Sequence, residues 1–442
     1  MASNLEPKIN RIATAVTSAL SALTAKGVTV PEGANVESLA ALIEGIETGG
    51  GGGGGAVTLS AKWNDVTFID YDGSVLYSYT VAEAQALTEL PPLPEHEGLI
   101  CQGWNWSLES IKALNREVTV GAMYITDDGS TRLNIRIATI GRMDVPLYIN
   151  QNIANGVFID WGDGSDAETL SGTGNKNVTH TYSEPGYYTI SLIPKDGCAL
   201  VLGHGSSNLC ILGTNTDTGY AYCNMLQSVH IGKNVSWIRD YAFKNCYSLS
   251  SITMPARMTG SIGQYAFQSC YSLSSIAIPN SITSIRASAF QSCYSLSSIA
   301  IPNSVTSIEN NTFYYCYSLN KLTVPNSVKS FSYLAQVCHS LSSITISDNT
   351  TSIGSYSFSN CYSLTSITIP ASVISIGSYA FQKCYGMRYY DFSACTSVPT
   401  LSNTNAFNSI PSDCQMLIPA ALFDEWSTAT NWATYAKYMV SV

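Results

Sequence analysis

Apolar residues at Leu5, Ile9, Ile12, Val16, Leu20 and Leu23 fall three and four apart, the spacing of one helical face, and Gly27 ends the pattern. Pro31 starts a turn, and Val36 to Ile46 predicts a second short helix. Short helices persist only when packed against something, so residues 1–48 are expected to dock or to oligomerise rather than to stand as a lone hairpin. Seven glycines, Gly49 to Gly55, then predict a flexible linker. From Val66 the period shortens to two. Val66-Thr-Phe-Ile-Asp-Tyr-Asp72-Gly73-Ser-Val-Leu-Tyr-Ser-Tyr predicts two strands around an Asp-Gly turn, with a helix over Val81 to Leu90 and a proline-rich loop at Pro91, Pro92 and Pro94 after it. Alternation at Leu133, Ile135 and Ile137, at Val157 to Ile159, at His180 to Tyr182 and at Tyr188 to Leu192 predicts the strands of a sandwich.

The pattern of the second half is a repeat. Cysteines at 223, 246, 270, 293, 316, 338, 361 and 384 are spaced 23, 24, 23, 23, 22, 23 and 23 residues apart. The unit is clearest at Ala289-Phe290-Gln-Ser-Cys293-Tyr-Ser-Leu296-Ser-Ser-Ile299-Ala-Ile301-Pro302. Leucine and isoleucines three, six and eight residues after each cysteine predict a short inward-facing strand, which Pro255, Pro279, Pro302, Pro325 and Pro370 end because proline cannot donate to a ladder. One such unit cannot bury its own apolar side, but a stack of them buries a continuous core, so residues 206–395 are expected to form a solenoid with a parallel sheet. Its open end needs a cover, and 396–442, with Leu417-Ile-Pro419, Ala420 to Trp426 and Trp432 to Met439, predicts one.

Several segments resemble known families. The unit A-F-x-x-C-x-x-L-x-x-I-x-I-P-x-S-V-x-x-I resembles the BspA-type leucine-rich repeat over about residues 209–392. Asp160-Trp161-Gly162-Asp163-Gly164, His180-Thr-Tyr182 and Pro185-Gly186-Tyr187-Tyr188 resemble the marks of PKD-type Ig-like sandwiches, which implies a spacer or binding module at 129–205. The run from Val66 through the prolines to Gly103-Trp104 resembles small β-grasp repeats, placed at 56–128. Ala25-Lys-Gly-Val-Thr-Val-Pro31 through Ile46 resembles the N-termini of phage tail proteins, and the end of the chain is similar to the last segment of such proteins and of repeat proteins. The expected architecture is a mainly β, multidomain chain: helices, linker, β-grasp-like module, Ig-like sandwich, leucine-rich-repeat solenoid and cap.

Composition limits the chemistry. Only 12 % of the 442 residues are charged and the net charge is −10, with no cluster of Lys and Arg for phosphate contacts, so nucleic acid is not an expected partner. No apolar run reaches the length of a membrane span, and the first residues lack the pattern of a secretory signal. His96, His180, His204, His230 and His339 show no metal-ligand spacing, and Asp70, Asp72, Asp160, Asp163 and Asp166 lie beside glycines as turn carboxylates. No nucleophile elbow, phosphate loop or paired-carboxylate constellation stands out, so no enzyme activity, cofactor or metal is expected. The eight periodic cysteines are expected to be a buried, reduced column, while Cys101, Cys198, Cys210, Cys395 and Cys414 fall outside it and leave room for one pair.

Tyrosine is the more telling residue. From Cys246 onward the position after each periodic cysteine holds Tyr247, Tyr271, Tyr294, Tyr317, His339, Tyr362 and Tyr385, a column that should lie outside the core. Stacked aromatics stabilise repeats, and Tyr among Ser also makes a rigid contact surface of low entropy cost. The resemblances imply a phage or prophage tail-fibre-like receptor-binding protein of the virion tail. It would be a homotrimer joined to tail or baseplate protein through residues 1–48, its solenoid contacting a bacterial surface protein or glycan. The alternative is an adhesin of the BspA type on a bacterial surface, binding host or neighbouring-cell proteins.

Overall fold

The computed structural model describes residues 66–114, 117–138, 142–203, 209–214 and 220–442. The expected helices and linker of residues 1–55 lie outside the described residues. The rest is mainly β, with a parallel solenoid of about nine turns and few helices.

The first sheet holds β1 (Val66–Ile69), β2 (Val75–Tyr79), β3 (Leu99–Trp104) and β4 (Val118–Thr126) in the order β2-β1-β4-β3. The predicted turn is present, since β1 and β2 pair antiparallel and Gly73 sits at φ +88°, which L side chains adopt rarely. The helix after it, α1, is shorter than predicted, Val81–Gln85, opened by a Thr80–Glu83 capping box. With α2 (Leu108–Lys112), whose Ile111 is buried, it packs over Phe68, Trp104, Trp106 and Tyr124.

The next strands are β5 (Thr131–Ile137), β6 (Asp144–Gln151), β7 (Val157–Asp160), β8 (Glu168–Thr169), β9 (Gly174–Thr181), β10 (Gly186–Pro194) and β11 (Leu200–Leu202). They form two sheets that do not stop at residue 205, where the sequence places a boundary. The solenoid strand Leu226–His230 pairs antiparallel with β5 on one side and parallel with Ser251–Thr253 on the other. Likewise Val235–Ile238 pairs with β11, and through Gly260–Ile262 with the strands that follow. One continuous core therefore runs from Leu133 to Met439. A solenoid's first turn has two unpaired strand edges, and these two sheets occupy both.

Within the repeat, each turn contributes a short strand to each of two sides, and neighbouring turns pair in parallel in segments: Ser275–Ala277 with Ser298–Ala300 and Lys321–Thr323 with Ser343–Thr345 on one side, Ile282–Ile285 with Ser307–Ile308 and Ser330–Phe331 with Ser352–Ile353 on the other. The leucine and isoleucines predicted to face inward do so, as at Leu296, Ile299 and Ile301. Inside, Phe243, Phe267, Phe290 and Phe313 stack at 5.3–5.8 Å. The column breaks at Ala335, in the turn that is one residue short. There Phe331 stands where other turns carry Ile or Leu, and its ring packs edge-on against Phe358 at 5.7 Å. At the far end Gln415–Ile418 and Met439–Ser441 extend one ladder, with Trp426, Trp432 and Tyr435 buried between. The cover thus closes the apolar end with rings and continues the strand ladder as well.

Cys223 departs from expectation. It is bonded to Cys210 instead of standing in the reduced column. Every later periodic thiol from Cys270 onward donates to a carbonyl of the preceding turn; the first turn has no such predecessor, and the hairpin at 209–214 brings Cys210 there instead.

Candidate binding ridge

Ridge geometry begins with a backbone feature. From Cys246 onward the residue before each periodic cysteine, namely Asn245, Ser269, Ser292, Tyr315, Val337, Asn360 and Lys383, lies at φ between 57° and 62°. A second left-handed residue precedes it by four: Tyr241, Tyr265, Ser288, Asn311, Tyr333, Tyr356 and Tyr379. Together they reverse the chain tightly, as the bonds from Tyr247 N to Asn245 O and Tyr271 N to Ser269 O show. The cysteine then points into the core and the next residue points out.

The inward side is a thiol column. Cys270, Cys293, Cys316 and Cys384 donate Sγ–H to the carbonyls of Phe243, Phe267, Phe290 and Phe358 at 3.2–3.3 Å. Cys338 reaches Phe313 O at 3.0 Å and Cys361 reaches Ala335 O at 3.2 Å. Cysteine suits the site as a small apolar group that still carries a weak donor for a buried carbonyl. Burial pushes these thiols well above their ordinary pKa, Cys384 to about 12, so they are poor nucleophiles and poor metal ligands.

The outward side brings all seven predicted residues into one row. Tyr247, Tyr271, Tyr294, Tyr317, His339, Tyr362 and Tyr385 stack with centroids 4.4–5.4 Å apart and planes within 25°. That spacing follows from strand pitch: one residue per turn at one register repeats at roughly 4.8 Å. Exposure rises along the row to 39 % at Tyr362 and 54 % at Tyr385. Each interior ring has both faces covered by its neighbours, so edges and hydroxyls are what it offers outward.

A second aromatic column escaped the sequence argument. Tyr241 and Tyr265 stack at 5.1 Å, with Lys244 over both rings at 5.4 and 5.6 Å. Tyr333, Tyr356 and Tyr379 stack at 5.2 and 4.9 Å. The signal was available, a Tyr two residues before the ladder Phe in several turns, but Ser288 and Asn311 interrupt it. The remaining candidates have local roles. His180 stacks on Trp161 at 4.8 Å and bonds Asp163 at 2.7 Å, and Asp160 accepts from Gly162 N. Among the described residues no group of three or more His, Cys, Asp or Glu is placed to hold a metal ion, and no helix is long and apolar enough to cross a membrane.

Comparison with known proteins concerns the repeat. Residues 216–336 and 332–422 match a family profile described as BspA type leucine rich repeat region. Compared with curated proteins, the sequence has no match. Among solved structures, it is similar to a leucine rich cell surface protein from Faecalibacterium prausnitzii, at 24 % identity over 48 % of this chain and 65 % of that one, TM-score 0.31. It is also similar to the T. pallidum leucine rich repeat protein, at 25 % identity over 43 % and 83 % of the two chains, TM-score 0.33. A leucine-rich repeat protein from Bacteroides ovatus shares 17 % identity over 66 % and 81 %, TM-score 0.33. The chain thus spans 65 % of the length of the first of these. The matched residues, 216–422, make up a little under half of the chain.

Proposed function

We propose that this chain is a non-enzymatic binding protein of the cell-surface adhesin type, whose ridge from Tyr247 to Tyr385 contacts a protein on a host or neighbouring cell. One observation carries the reading: seven stacked aromatic rings in a row along a BspA-type repeat region, at an otherwise weakly charged surface. Sugars stack on ring faces, and here neighbours cover the interior faces, so a polypeptide touching edges and hydroxyls fits the row better than a glycan does. The tail-fibre reading that the sequence put first, with its homotrimer and its tail or baseplate partner, draws on residues 1–48, which lie outside the described residues.

The test is adhesion of the purified chain to intact bacterial and epithelial cells. The variant Tyr271→Ala/Tyr294→Ala/Tyr317→Ala should lose at least about tenfold in binding while keeping its circular dichroism, since aromatic anchors dominate such contacts. Protease treatment of the cells should abolish binding and periodate should spare it. Unchanged binding by the triple variant would overturn the ridge; loss on periodate alone would replace protein by glycan.

A further inference from the structure

A cleft of about 430 Å³ opens where three parts of the fold meet: the loop before β3, strands β5 and β10, and the first solenoid strand. Tyr71, His96, Glu97, Arg132, Asn134 and His230 line it. None of them belongs to the ridge.

The chemistry of the lining is one-sided. His96 Nε2 lies 2.7 Å from Oδ2 of the buried Asp70, whose other oxygen accepts from Tyr71 N and from the Tyr124 hydroxyl. A carboxylate only accepts, so the Nε2 proton points at Asp70, which leaves Nδ1 as an acceptor in the neutral tautomer of the ring. His230 Nδ1 faces Thr253 Oγ1 at 3.4 Å, and no protein atom among the described residues bonds its Nε2. The carboxylate of Glu97 is likewise without a hydrogen-bond partner among the described residues. Arg132, the cation of the lining, is already engaged by Asp127 at 2.7 Å, Asp128 at 2.9 Å and the Gly98 carbonyl at 3.1 Å. Asn134 is held by Ser228 and Thr189. Glu97 is thus the free charge of the lining, its cation satisfied, with ring nitrogens of His96 and His230 facing the cleft beside the Tyr71 ring.

We propose that this cleft binds a small polyol bearing an ammonium group, a hexosamine being the simplest, with the ammonium on Glu97 and hydroxyls donating to His96. A volume of this size holds one or two sugar rings, and planar polar side chains around one aromatic ring suit hydroxyl recognition. Binding at this cleft is independent of the ridge, so failure of either leaves the other standing.

Saturation-transfer NMR on the full chain near neutral pH, with glucosamine and glucuronate as probes, decides it. Glucosamine should bind in the millimolar range and glucuronate should not. Glu97→Gln, at an exposed loop position that leaves folding intact by circular dichroism, should weaken glucosamine about tenfold through loss of a charge-assisted bond. The proposal is overturned if glucuronate binds as well as glucosamine, if Glu97→Gln leaves glucosamine unchanged, or if glucosamine fails to bind at tens of millimolar.

Discussion

At the scale of single residues, the repeat depends on backbone conformations that its side chains tolerate unequally. Asn and Ser adopt left-handed φ at modest cost, whereas Val337, a β-branched residue at φ 61°, is strained there. Replacing it with Asn should raise stability by about 1 kcal/mol in urea unfolding, because the strain is relieved with the turn unchanged. A fall in stability would show that the Val337 side chain contributes more by packing than its backbone costs. The thiol column makes a separate prediction. In the native protein, Cys270, Cys293, Cys316, Cys338, Cys361 and Cys384 should resist alkylation, and should all react once the chain is denatured, since burial raises their pKa and excludes reagent. Sequence spacing was enough to place these cysteines in a column. It was not enough to show that each thiol bonds the previous turn's carbonyl, or that Cys223 would leave the column, because both depend on what lies one turn away.

At the scale of elements, the small sheet β1–β4 lies against one solenoid ladder instead of standing as a separate spacer. Asn105, fully buried, donates to the carbonyls of Ile278 and Ala300 at 3.0 and 3.2 Å and accepts from Gly121 N. A Cβ on Gly121 would come within 2.4 Å of the Ala277 Cβ and 3.1 Å of the Ala300 Cβ, so the close approach goes with Ala in these two turns where Thr323, Thr345 and Thr368 stand in later ones. Glu117 pairs with Lys321 at 2.8 Å and accepts from Thr345 at 2.7 Å and from Ser343. Burial alone would raise the Glu117 pKa, but Lys321 and the hydroxyls outweigh it and hold the carboxyl below its ordinary range. Glu117→Gln should therefore loosen the contact by about 2 kcal/mol, seen as faster hydrogen exchange in β4 and in Lys321–Thr323 together. Unchanged exchange in both would mean that Asn105 and the close packing hold the sheet alone. The strands of this sheet were legible from alternation and the Asp-Gly turn. Its docking was not, because polar contacts between segments some 200 residues apart leave no periodic trace.

At the scale of the whole molecule, two histidines tie stability to acidity. Burial, then Arg132 and His96, lower the pKa of His230; burial lowers that of His339, held between Tyr317 and Tyr362. A depressed folded-state pKa means the unfolded chain binds more protons, so this stability is full above about pH 6.5 and is lost as pH falls from there. His339→Tyr, which makes the ridge uniform, should flatten that dependence between neutral pH and about pH 5 in urea midpoints; an unchanged slope would assign the effect to His230. Apolar spacing made the solenoid legible because a stack repeats each contact, turn after turn. The joining of both sheets across residue 205 was hidden, since β5 and β11 carry the same alternation whether their edges are free or paired. The proposed function rests on the ridge, and hydroxyl-radical footprinting of the chain, free and bound to intact cells, tests it most directly. Protection concentrated at Tyr271, Tyr294, Tyr317, Tyr362 and Tyr385 is the predicted result. Protection confined to the Ser and Thr faces of the ladders or to the first sheet, with the tyrosines oxidised as in the free chain, would contradict it.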